Sequence, residues 1–280
     1  MIEFQNVVRS YGQKLAVADL SLKIPAGQLF ALLGPNGAGK TTTIKMLVGL
    51  LQPSSGSVQV CGHDVVRQSR EASRLLGFVP DEVFLYEKLS GREFLDFVAD
   101  LHGLNRRAAA ARIAAQIDAF ELADFVDDRS ETYSHGMKQR LALAAALLHD
   151  PAVLVLDEPM VGLDPRSMRL VKNILQRRTA AGMCVFMSTH SLSLAEEIAD
   201  LIGVVDGGKL MFVGTLAELR GQAAHGHTTL EELYLALTAT DDERLSTVRG
   251  IPPANSSGPP PAAETDADKD TVTGARGNSP

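Results

Sequence analysis

The sequence predicts an α/β fold built on a mostly parallel sheet. Two observations carry that prediction. From residue 136 to 214 helical and strand-like segments alternate: an apolar helix at 136–149, "AVLVLD", a helix from Pro165, "MCVFMS", a helix at 192–200, then a final strand pair. Parallel strands need crossover connections of about this length, and helices supply them. Upstream, "QLFALLG" is a short buried run that passes through glycines into the helical "KTTTIKMLVGLL", a strand–turn–helix unit of the same kind.

Each element follows from its local pattern. Residues 1 to 33 read as strands: "MIEFQNVV" alternates, "LSLKI" follows, and "QLFALLG" is the buried run. The helix from Lys40 is expected to stop at Pro53 and the Gly56 turn, and "SVQVCG" is the next strand. The stretch from about 82 to 135 reads as helical. Within it Ser90 and Glu93 have capping-box spacing ahead of "FLDFVADLH", Gly103 ends that helix, and "NRRAAAARIAAQI" is helical by alanine content. "LIGVVDGGKLMFVG" places Gly-Gly between two apolar runs, a hairpin. "TTLEELYLALT" supplies a C-terminal helix within 221–240. Residues 241–280 are rich in Pro, Gly, Ser and acids and cannot bury enough surface to offset ordering entropy, which predicts a disordered tail.

Bulk properties narrow the function. With 280 residues, 45% of them hydrophobic, the chain can build a sizeable core. A net charge of −7 and no extended basic run argue against a nucleic-acid partner. Cys61 and Cys184 lack metal-type spacing and read as free thiols in a reducing compartment. The N-terminus lacks a signal-peptide pattern. The most apolar region, "LALAAALLHDPAVLVLD", is broken by His149, Asp150 and Pro151, short of the roughly 20 residues a bilayer span requires. No direct membrane insertion is expected. His225 and His227, without acids or cysteines nearby, read as exposed loop residues.

The chemistry sits in "GPNGAGKT", residues 34–41, which is G-x-x-x-x-G-K-[ST] between a buried strand and a helix. Gly34, Pro35, Asn36, Gly37, Ala38 and Gly39 can turn consecutive N–H groups toward phosphate oxygens. Lys40 can reach the β- and γ-phosphates, Thr41 offers a hydroxyl to Mg²⁺, and Thr42 beside it is a further candidate for binding the nucleotide. In "VLVLDEP", Asp157 and Glu158 stand at the C-terminal end of a buried strand, where α/β sheets open their ligand crevice. Asp157 is the candidate Mg²⁺ ligand and Glu158 the candidate general base. A second anion-binding feature is "TYSHGMKQR", a Ser and a Gly at the head of an apolar helix.

"GPNGAGKTT", "YSHGMKQR", "VLVLDEP", "VGLDP" and "MSTH" occur in the order and spacing of an ATP-binding cassette (ABC) ATPase, which residues 1 to about 220 resemble. The resemblance implies a P-loop NTPase (RecA-like) core, an N-terminal antiparallel β subdomain and a helical subdomain inserted at about 82–135. It implies ATP and Mg²⁺ as ligands, and a head-to-tail pair of cassettes driving a separate integral-membrane permease. "YSHGMKQR" is similar to the family's signature, usually LSGGQ, with Tyr for Leu, His135 for the first Gly and Met137 for Gln. Ser134 and Gly136 would then cap the nucleotide held by the second subunit.

The resemblance further assigns Tyr11 to adenine stacking, His190 to the γ-phosphate and the attacking water, and Asp164 to the dimer seam. Asp164 is also a natural helix cap ahead of Pro165. Where the family commonly has a Mg²⁺-contacting Gln, this chain has Asp81, itself able to bind a hard cation. The missing regulatory extension, "STHSLSLAEEIAD" and "GTLAELRG" resemble exporter-type subunits, which act peripherally on the cytoplasmic face of the membrane. The alternative is a soluble ABC ATPase acting on a cytosolic assembly or the ribosome.

Overall fold

The computed structural model describes residues 1–222 and 231–234. A hairpin of β1 (Ile2–Tyr11) and β2 (Lys14–Ile24) opens the chain, and β3 (Leu29–Leu33) feeds the glycine loop and α1 (Lys40–Leu47). Next come β4 (Ser55–Val60), β5 (His63–Asp64), α2 (Ser69–Arg74) and β6 (Leu76–Val79). Helices α3 (Gly91–Leu101) and α4 (Arg106–Ala119) form an arm, followed by a 3₁₀ turn at Ser130–Thr132 and α5 (His135–Ala146). The chain then alternates through β7 (Val153–Asp157), α6 (Pro165–Ala180), β8 (Cys184–Thr189), α7 (Leu192–Ile198), β9 (Leu201–Asp206), β10 (Lys209–Gly214) and α8 (Leu216–Gln222).

Two sheets result. The larger has the order β10-β9-β3-β8-β7-β6, parallel except for the β9–β10 hairpin, whose Gly207 and Gly208 take φ of 52° and 81°. The smaller, β2-β1-β4-β5, is antiparallel. Strand alternation divides the core. Phe30, Leu32, Val155 and Phe186 face Ile2, Phe4, Val58 and Ile44 on one side. Leu29, Ala31, Leu33, Leu156 and Met187 pack with Leu95, Leu141 and Leu175 on the other. The glycine loop follows β3, Asp81 follows β6, and Asp157 and His190 stand at the ends of β7 and β8, so the C-terminal edge of the parallel sheet carries most of the candidate residues, joined by Tyr11 of the first hairpin.

Several expectations are corrected. The helix from Lys40 ends at Leu47 rather than near Pro53, because Gly49 adopts φ +74° and its N–H bonds to the Met46 carbonyl. The stretch 82–135 is not continuously helical: 82–90 is irregular until the Ser90 capping box starts α3, and turns follow α4. Helices α5 and α7 are also shorter than expected. Strand β6 escaped the pattern reading because it contains Gly77. A Cβ there would lie 2.3 Å from the Ala146 carbonyl oxygen, so close packing of α5 against the strand requires the glycine.

Both cysteines are free, and burial pushes the Cys184 thiol up to about 12. In the predicted C-terminal helix, residues 231–234 are helical and Leu233 is buried. The rest of 223–240, with His225 and His227, and the whole of 241–280 lie outside the described residues.

Candidate functional site

The glycine loop is shaped by contacts that no side chain could share. Gly39 takes φ +108°, and a Cβ there would sit 2.5 Å from the Ala16 carbonyl oxygen. At Gly34 a Cβ would lie 2.4 Å from the Val205 carbonyl oxygen. The loop is braced from outside by the β9–β10 turn. Gly208 N–H donates to the Ala38 carbonyl at 3.1 Å, and the Gly208 carbonyl accepts from Ala18 N–H at 2.7 Å. Lys40 is buried, and its ammonium donates to the Gly34 carbonyl at 2.7 Å and the Pro35 carbonyl at 3.3 Å. Two neutral acceptors hold that charge beside the loop, where an anion would be a stronger partner.

A cleft of about 380 Å³ opens over this loop. Asn36, Gly37 and Gly39 form one wall with Lys40, Thr41 and Thr42 from α1. Tyr11, Lys14 and Ala16 of the first hairpin form a second, and Asp81, Asp157 and Glu158 a third. Tyr11 is 47% exposed, with the Arg9 guanidinium 4.8 Å from its ring centroid. Gly34, Pro35 and Ala38 belong to the loop but do not line the cleft.

The acidic wall is organised by a serine. Asp157 ends β7 with 4% exposure and accepts from the Ser188 hydroxyl at 2.5 Å. The Ser188 Oγ in turn accepts Glu158 N–H at 3.2 Å. Glu158 has φ +49°, uncommon for a residue with a side chain, and this hydrogen bond helps hold it there. Its carboxylate is 14% exposed and meets His190 Nδ1 at 2.9 Å, while His190 is 65% exposed on the rim. Burial raises the Asp81 carboxyl above its ordinary value; Asp157, Glu158 and Glu82 push the same way, and His135 opposes them.

That crowding of carboxylates, with the Thr41 hydroxyl across the cleft, suits a hard divalent cation. Among the described residues no group of three or more His, Cys, Asp or Glu closes into a metal cage. Mg²⁺ does not need one, since it commonly takes one or two carboxylates together with phosphate oxygens and water.

Ser134, Gly136 and Asp164 do not line the cleft; they gather in a second patch. Ser134 caps α5, accepting Met137 N–H at 3.3 Å. Asp164 caps α6, accepting from Arg166 and Ser167 N–H and from the Ser167 hydroxyl, which holds its carboxyl below the ordinary range. A Cβ on Gly136 would lie 3.8 Å from the Gly162 carbonyl oxygen, so the two patch segments touch. Tyr133, the departure from the signature's Leu, is buried. It accepts Gly91 N–H at 3.1 Å and donates to the Phe125 carbonyl at 2.7 Å, fastening this patch to α3.

Sequence reasoning missed Ser188, Gly208, Lys14 and the bonds made by His135. Ser188 had a faint signal, a hydroxyl residue near the end of an apolar strand. Its pairing opposite Asp157 was visible only in the register of β7 and β8.

Residues 17–161 match the family described as ABC transporter. The linearmycin resistance ATP-binding protein of Bacillus subtilis (strain 168) is 34% identical over 255 residues, covering 91% of this chain and 81% of the relative. The Nod factor export ATP-binding protein I of Burkholderia orbicola (strain AU 1054) is 40% identical over 213 residues, 76% of this chain and 70% of the relative. A solved ATP-binding subunit of an ABC transporter superposes with a TM-score of 0.80 at 30% identity, covering 85% of this chain and 99% of that one.

Proposed function

The chain belongs to the ABC transporter family as an ATP-binding, ATP-hydrolysing subunit, and we propose that it works as half of a head-to-tail pair. The pair hydrolyses Mg-ATP and drives export through a separate integral-membrane permease, the second cassette being an identical copy. No helix among the described residues is long and apolar enough to cross a membrane, which fits attachment to the cytoplasmic face through that permease. The relatives named for resistance and for Nod factor export support the outward direction.

The separation of the two patches carries this reading. Within one chain Ser134, Gly136 and Asp164 do not line the cleft that Lys40 serves, so a helix start able to cap an anion takes no part in its own cradle. A twofold-related copy brings each cap over the other's cleft through an isologous interface.

In each cleft the loop N–H groups and Lys40 bind the phosphates, and the Tyr11 ring receives the adenine. Thr41 and Asp157 would hold Mg²⁺, with Asp81 beside them. The ion, when bound, neutralises phosphate charge and orients the terminal group. Glu158 takes the proton of the attacking water, and His190 keeps the carboxylate oriented from the rim.

Light scattering with Glu158→Gln tests the pairing. That variant is expected to be dimeric in Mg-ATP, and adding Lys40→Ala or Ser134→Ala should return it to monomer. A chain that stays monomeric in Mg-ATP, or whose dimer is indifferent to Ser134, overturns it.

A further inference from the structure

His135 occupies the first turn of α5 where the resemblance leads one to expect glycine, and its ring is engaged. Its Nε2–H donates to the Val161 carbonyl at 3.1 Å. The ring lies directly on Gly162, where a Cβ would fall 2.4 Å from the imidazole Cδ2. One turn along the same helix, buried Gln139 donates to the Pro159 carbonyl at 3.1 Å. Two side chains of α5 therefore grip alternate carbonyls of the 159–162 turn, the segment that leaves Glu158. Glu158 itself sits in the left-handed region and needs its neighbours to hold it there.

We propose that His135 is a positioning residue for Glu158, clamping the 159–162 turn to the helix that carries Ser134. Resting on the assignments above, the clamp makes the acid that serves one nucleotide and the cap that serves the partner's nucleotide move as one rigid piece. The nucleotide cradle, residues 34–42, makes no part of it. Loss of the clamp should therefore slow turnover and leave nucleotide affinity alone. A His at this position is then a functional substitution for glycine and not a degraded signature.

Steady-state ATP hydrolysis by His135→Gly, His135→Ala and His135→Gln separates these readings. His135 is exposed, so none of the three removes core packing. The Gly and Ala variants are expected to lose on the order of tenfold in kcat with KM for ATP unchanged, because a displaced catalytic group costs rate rather than binding. Gln carries a donor at the same reach as Nε2 and should restore most of the loss. A Gly variant as fast as the parent or faster overturns the proposal. So does a KM that rises with the falling kcat, or a Gln variant as slow as Ala. Activity that survives Glu158→Gln would remove the general-base assignment, whereas Glu158-dependent activity indifferent to His135 removes only the clamp.

Discussion

His190 Nδ1 and a carboxylate oxygen of Glu158 lie 2.9 Å apart, and the His190 backbone N–H reaches the same oxygen at 3.4 Å. One oxygen of the acid is thus held by the loop after β8. Glu158 lines the cleft, so the proposed general-base role falls to the other oxygen, Oε1. Glu158→Gln is expected to lower hydrolysis by about 10²- to 10⁴-fold, the range of a general base, with ATP binding retained. His190→Ala should cost less, about 10²-fold at most, since the base remains and only its orientation is lost. Phosphate release together with fluorescent-nucleotide titration reads both; a His190→Ala variant slower than Glu158→Gln would reverse the two roles.

Asp81 shares its cleft with two other carboxylates, and they raise its proton affinity on top of the effect of burial. A divalent cation relieves that repulsion, so turnover should depend steeply on Mg²⁺. Asp81→Gln is expected to turn over faster and to depend less steeply on Mg²⁺. Superimposable Mg²⁺ titrations of the variant and parent would show that Asp81 takes no part.

Gly208 joins the phosphate loop to β2 through its N–H and its carbonyl, at φ +81° with the Ala16 carbonyl 2.9 Å from where a Cβ would stand. Gly208→Ala should destabilise the fold by about 1–3 kcal/mol through backbone strain and weaken ATP binding with it. Gly207→Ala is the control: it has comparable positive φ but no neighbour within 4 Å of the added carbon. Thermal unfolding and nucleotide titration should separate the two, and equal effects would mean that turn strain alone matters.

His149 lies stacked on His102, ring centroids 3.7 Å apart, with Nε2–H donating to the Leu76 carbonyl at 3.0 Å. Burial lowers its pKa to about 4; His102 and Arg112 add to the effect, while the Leu76 carbonyl and Asp150 oppose it. The unfolded chain, with an ordinary histidine near 6.5, binds this proton first. The contribution is therefore complete above about pH 6.5 and is lost as pH falls toward about 4. The loss is on the order of 1 kcal/mol once solvent screening of the partly open ring is counted. His149→Gln keeps the donor to Leu76 and should flatten the melting temperature over that interval; an unchanged pH profile would rule the histidine out.

The sequence by itself determined what is local in the chain. The glycine loop, the acidic pair at a strand end, the Ser90 capping box, the Asp164–Pro165 helix start and the Gly-Gly hairpin each depend on neighbours within a few residues, so spacing and turn chemistry reveal them. Only the tertiary structure decided what joins distant segments. Ser188 became the organiser of Asp157 and Glu158 because β8 lies beside β7 in one register. Gly208 became the brace of a loop 170 residues upstream, and His135 met Val161 across two helix starts. Gly77 hid a strand that packing against α5 required to be bare. The physical reason is that hydrogen bonds and close backbone approaches are set by register and layer stacking, and many sequences share a local pattern without sharing that arrangement.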